Sequence, residues 1–72
     1  MTLQTIGNHI RTIRKSKHIT QNDLASKLNL DRTYLSRAEA GKQNLTIETL
    51  IRICEEGLEI SLKEFFGGIV EE

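Results

Sequence analysis

Apolar residues recur along this 72-residue chain at helical spacing, and nowhere do they alternate as a strand requires. Ile6, Ile10 and Ile13 follow one another at i, i+4 and i+7, and Leu3 extends the stripe, while Asn8, Arg11, Thr12 and Lys15 occupy the opposite face. The pattern predicts a first helix over residues 2–16. Its stripe is narrow and lacks aromatics, which fits burial against a core better than a membrane surface. Thr20 and Asp23 have the spacing of a capping box, with Asp in the usual Glu position, and open a second helix whose buried face is Leu24, Ala25 and Leu28. Asn29 tolerates the left-handed conformation of a tight turn. Asp31 caps a third helix with Leu35 and Ala38 inside, and Gly41 ends it. Thr46 is the expected N-cap of a fourth helix, with Ile47, Leu50, Ile51, Cys54 and Leu58 as its stripe and Gly57 ending or loosening it. Ser61 and Glu64 open a short fifth helix carrying Leu62, Phe65 and Phe66, which Gly67-Gly68 breaks. With no proline in the chain, the expected fold class is all-α with five helices.

The stretch from Gln21 to Glu39 has a second layer of pattern. Leu24, Ala25, Leu28, Leu30, Leu35 and Ala38 fall where two short helices can pack at a steep angle, and the small Ala25 lets them come close. The turn at Asn29-Leu30 sets the crossing, and residues 32–39 then project as a rod, the arrangement of a helix-turn-helix. The outer face of that rod is Arg32, Thr33, Ser36 and Arg37, with Tyr34 beside it. Arginine can give two hydrogen bonds to guanine O6 and N7, threonine can bond a base edge or pack its methyl on thymine, and serine can bond either way. An ordinary solvated face would mix Glu with Lys. This one has two arginines and no acid.

Composition sharpens the picture through its distribution. The net charge is zero, but residues 1–44 carry eight Lys/Arg against three acids, a balance of +5, and residues 45–72 carry two against seven, a balance of −5. One half suits a polyanion and the other faces elsewhere. The length allows one domain, residues 1–72, of modest intrinsic stability. Cys54 is the sole cysteine, so no internal disulfide can form, and its place on an apolar stripe reads as a small core residue. A single thiol, no apolar N-terminal segment and no run long enough for a membrane helix lead to the expectation of a cytoplasmic protein.

From Ile6 to Phe66 the chain resembles the lambda-repressor-like (Xre-type) helix-turn-helix family. The matching pieces are IRTIRKSKHITQNDLASKLNL, DRTYLSRAEAGKQNLTIETL and ISLKEFF. The phrase NLDRTYLSRAEAGKQNLTIETL looks most like the controller proteins of restriction–modification systems. The resemblance implies a DNA-binding regulator and assigns roles. Arg32, Thr33, Ser36 and Arg37 correspond to the base-reading positions. Gln21 corresponds to the glutamine that bonds a phosphate and buttresses the recognition helix. Tyr34 corresponds to a residue at the DNA edge, and Lys42, Gln43 and Asn44 lie in the loop that clamps phosphates. Arg14 and Glu39 match a partly buried ion pair with a structural role. The chain departs from the family pattern at Ala40 and Gln43, where arginine is frequent, and at Ala38, where a larger aliphatic is. The segment between LTIETL and SLKEFF is one residue longer than is common, which bears on how the fifth helix packs.

Phe65, Phe66, Ile69 and Val70 are too apolar for the tail of so small a domain. One phenylalanine should complete the core. The rest, within residues 58–72, offer a homodimer interface, and twofold pairing would present two recognition helices to half-sites about 34 Å apart on double-stranded DNA. His9 is expected on the surface of the first helix and His18 in the turn after it. Neither has metal-ligand spacing with Cys54, so no metal is expected. No phosphate-cradling glycine loop or nucleophile elbow is present, and no enzyme, cofactor or small-molecule effector is expected. The alternative reading is an antitoxin-like interaction subunit that holds a partner protein through its acidic, Phe-rich half.

Overall fold

A computed structural model of the chain describes residues 1–69, so Val70 of the expected dimer patch lies outside the described residues. Helices α1 (Leu3–Ser16), α2 (Gln21–Leu28), α3 (Arg32–Glu39) and α4 (Ile47–Ile51) follow in order. α4 runs without a break into a π-helical stretch, Arg52–Leu58, and α5 (Leu62–Gly67) completes the fold. Every α-helix starts where a hydroxyl or carboxylate can take an otherwise unpaired backbone N–H. The N–H groups of Thr5, Asp23, Thr33, Thr49 and Glu64 donate to the side chains of Thr2, Thr20, Asp31, Thr46 and Ser61 respectively. A reciprocal capping box closes only at Thr2 and Thr5. At Thr20 and Ser61 the backbone half forms, without a return bond from Asp23 or Glu64 among the described residues. Asn29 closes α2 in the left-handed conformation, φ 54°, as its side chain tolerates.

One apolar core joins all the elements. Ile10, Leu24, Leu28, Leu35, Ile53, Leu58 and Phe65 are its largest sealed side chains. α1 lies across α3 so closely that backbone meets backbone. A Cβ on Gly7 would fall 2.1 Å from the Ala38 carbonyl oxygen and 2.9 Å from that of Glu39. Only the bare Cα of glycine fits this crossing. No helix among the described residues is long and apolar enough to cross a membrane.

Four expectations need correction. First, Ile47 is 60% exposed, and the buried register of the fourth helical segment is Leu50, Ile53, Cys54, Gly57 and Leu58. Second, Gly57 does not end the segment but lies within its wider π-helical turns. Leu24 and Leu28 methyl carbons sit 2.6 and 3.1 Å from where its Cβ would be, and the segment ends at Glu59, φ 58°. A turn closed i→i+5 takes in one more residue than one closed i→i+4. The π-helical stretch leads into α5, which seats Phe65 in the core. The carbonyls at this join are taken by cations: Arg52 donates to the Leu28 oxygen, and Lys27 Nζ to the Gly57 oxygen at 3.4 Å. Third, His9 is not a free surface residue. Its ring meets Phe65 edge-on at 4.8 Å, and its Nε2 is sealed without a hydrogen-bond partner among the described residues. His18 is exposed in the turn, φ 58°. Fourth, Phe65 is 0% exposed and offers nothing to a second subunit. The tail patch narrows to Phe66 and Ile69, both partly packed on the core.

Replacing Gly7 with alanine should lower stability by at least the roughly 1–3 kcal/mol of an overpacked core, read as a shift in the urea midpoint, because the obstructing atom is main-chain. Burial, aided by the Glu55 charge, pushes the Cys54 thiol up to about 11. The folded chain should therefore resist iodoacetamide at pH 8 and react once unfolded. Because the thiol releases its proton more readily unfolded, stability should be intact below the ordinary value of 9.0 and decline as pH rises toward about 11.

Candidate nucleic-acid interface

The projecting helix is anchored at its C-terminal end by a buried charge. Glu39 ends α3 with a carboxylate sealed from solvent, and Arg14 of α1 meets it as a fork: Nε donates to Oε2 at 2.7 Å and Nη2 to Oε1 at 3.1 Å. The third nitrogen, Nη1, donates to the Ile19 carbonyl at 2.7 Å, which fixes the turn between α1 and α2. Gln21, first residue of α2, donates from Nε2 to Glu39 Oε1 at 3.1 Å. Three helices therefore meet on one carboxylate. The second N–H of the Gln21 amide finds no acceptor among the described residues and remains available to an outside one.

At the other end, Asp31 accepts the Thr33 N–H at 2.7 Å and sets the first turn of α3. Arg32, Thr33 and Ser36 are exposed, and their side chains bond nothing else among the described residues. Tyr34 is half-buried beside them. The structure thus brings three free polar groups together on one face of an eight-residue helix.

Arg37 belongs to the same helix but is not free. Its Nη2 donates to the Lys42 carbonyl at 2.9 Å and its Nε to Gln43 Oε1 at 3.4 Å. The loop it touches leaves α3 through Ala40 and Gly41, and the φ of 75° at Gly41 permits the reversal. Lys42 and Asn44 are exposed on that loop, and Gln43 is half-buried. On the opposite flank, a cleft beside Ser36 and Gln21 is rimmed by Arg11, Lys15 and His18. Sequence reasoning assigned no role to these three residues. The signal was present as the polar face of the first helix, but nothing in the linear pattern said that this face borders Ser36.

The comparisons with known proteins agree with this architecture. The helix-turn-helix family model matches residues 10–65. The control protein C.MunI of Mycoplasma sp is 40% identical over 67 residues, which span 92% of this chain and 89% of C.MunI. The immunity repressor protein of Bacillus phage phi105 is 44% identical over 46 residues, or 64% of this chain and 32% of the repressor. Among solved structures, the wild-type restriction-modification controller protein C.Esp1396I has a TM-score of 0.86 at 46% identity, covering 93% of this chain and 87% of that one. The C.Esp1396I tetramer in complex with its natural 35 base-pair operator gives the same TM-score and identity. The chain belongs to the helix-turn-helix family, with the lambda-repressor-like fold, and restriction–modification controllers are among its relatives over nearly its whole length.

The junction can be tested without DNA. Changing Glu39 to Gln leaves the Arg14 guanidinium buried and unpaired, a loss of about 3–5 kcal/mol. A domain of this size seldom holds more than about that in total. Glu39→Gln should therefore lose most of its helical circular dichroism at 25 °C. The paired change Arg14→Met with Glu39→Leu removes both charges and should recover much of it.

Proposed function

We propose that the chain is a sequence-specific DNA-binding transcription regulator that acts as a homodimer on a palindromic operator and serves as a restriction–modification controller at its own promoter. The observation that carries the reading is the free face of α3. Arg32, Thr33 and Ser36 are exposed, with side chains unbonded among the described residues, on a helix locked at both ends, by Asp31 and by Glu39. A major groove reader needs side chains free to bond and a rod that does not move. Arg32, Thr33 and Ser36 are assigned to the base-facing side; Arg37, which the resemblance places with them, has its guanidinium engaged by the following loop. Gln21, Tyr34, Lys42, Gln43 and Asn44 are assigned to the backbone, where contacts position without reading sequence. Gln21 fits the double role through one N–H on Glu39 and one left over.

Pairing of two copies is supported by the apolar surface left outside the core: Phe66 and Ile69 in residues 58–72, with Ile47 at 60% exposure. The core closes within one chain, which weighs against an antitoxin-like subunit that orders only on its partner. Regulation rather than catalysis is the work of the relatives, and a cytoplasmic location suits it.

Selection from random duplexes should enrich a sequence with twofold symmetry, and footprinting should find it upstream of the chain's own gene. Arg32→Ala should weaken binding by about 1–3 kcal/mol and relax one operator position in each half-site. Equal binding of every sequence by Arg32→Ala and wild type would remove the base-reading role. Affinity should fall steeply as salt rises.

A further inference from the structure

Resting on the DNA-binding reading above, we propose that Arg37 is a positioning residue of the phosphate-binding loop and not a base reader. Arg37 is sixth of the eight residues of α3, in its last turn. Recognition helices contact base edges with their N-terminal residues, and Arg32, Thr33 and Ser36 precede it there. One edge of its guanidinium, Nε and Nη2, is already engaged by the loop, at Gln43 Oε1 and the Lys42 carbonyl. These bonds tie residues six and five positions onward to the recognition helix. The opposite edge, with Nη1, bonds nothing among the described residues and stays exposed.

That division of the fork has a consequence. A guanidinium bonded to the Lys42 carbonyl stands at the same loop that carries the exposed Lys42 side chain, so both cations belong to the C-terminal end of α3 and its loop. Planar, bidentate geometry suits the outer edge to a phosphate's paired oxygens. The Lys42–Asn44 backbone is held in a fixed relation to α3 by the same residue. Arg37 thereby joins the reading helix to the element that sets its depth on the duplex. Lysine could supply the charge in its place, but it has no second nitrogen to bridge loop and phosphate together.

The test compares wild type, Arg37→Ala, Arg37→Lys and Arg32→Ala. Each is titrated at several KCl concentrations against the selected operator, its single-base variants and an unrelated duplex, after circular dichroism confirms that each variant is folded. Arg37→Ala should weaken binding to all duplexes by one common factor of about tenfold, the scale of one hydrogen bond to a charged group. It should also reduce the salt slope by about one, as expected when a single phosphate is no longer neutralised. Arg37→Lys should restore the salt slope but not the full affinity, because the charge returns without the bridge. Arg32→Ala should instead change the ranking of the single-base variants. The proposal fails if Arg37→Ala relaxes discrimination at one base pair while sparing the unrelated duplex. It fails equally if Arg37→Ala matches wild type throughout, or if Arg37→Lys equals wild type. A wild-type protein that enriches no sequence and holds no duplex would overturn the functional reading itself, an outcome distinct from all of these.

Discussion

Everything in this structure that could face a duplex is oriented by one buried carboxylate. Glu39 sits at the end of the projecting helix, out of water, where an unpaired charge would be expensive. It is satisfied only if Arg14 from α1 and Gln21 from α2 converge on it. A guanidinium fork accepts a carboxylate in a narrow range of geometries. The pair thus contributes little net stability over an apolar substitute but a great deal of definition. Gly7 completes the constraint by bringing the α1 backbone against the Ala38 carbonyl, so α3 can neither slide nor roll without a clash or a stranded charge. A helix that reads base edges must hold its side chains to within a fraction of a hydrogen-bond length, and this junction provides that.

What was legible in the sequence was what depends on short-range chemistry. Thr20, Asp31, Thr46 and Ser61 are N-caps because each has an oxygen within reach of an N–H two or three residues on, and that reach is a property of local sequence. Asn29 marks its turn for the same reason. What was not legible depends on a partner distant along the chain. Gly7 has no local role, and its necessity comes from residues 38 and 39. His9 lies on the polar side of α1 by periodicity, yet α5 returns to cover it with Phe65. Ile53 is buried where Ile47 was expected to be, because the buried set Leu50, Ile53, Cys54, Gly57 and Leu58 is a second i, i+3, i+4, i+7, i+8 stripe overlapping the first, and periodicity alone does not choose between them. Arg37 looks like any exposed arginine until the loop folds back beneath it.

The charge distribution takes on a structural meaning once the elements are placed. Arg32, Arg37 and Lys42 lie along the outer face of α3 and its loop, and Arg11 and Lys15 rim the cleft beside Ser36. Among the described residues, the acids of the second half lie on the fourth helical segment, at its end and on α5, and two of them are paired, Glu56 with Arg52 and Glu59 with Lys27. A protein of zero net charge can still present a field of one sign to a polyanion when its acids are grouped elsewhere. Self-repulsion across the whole molecule stays low, which matters for a core this small.

The π-helical stretch ties this electrostatic face to the geometry of pairing. α5 can bury Phe65 in only one position, because the pocket is closed by His9 and the core residues around it. Phe66 and Ile69 pack partly on the same core, and they are part of the apolar surface that the proposed pairing would use. Between that core and α5 the chain runs through the π-helical turns of Arg52–Leu58, which close at Glu59 in the left-handed conformation, φ 58°. Two recognition helices can match successive turns of DNA only if the distance between them is constant. In the proposed homodimer paired through Phe66 and Ile69, that distance would follow from where α5 lies on the core.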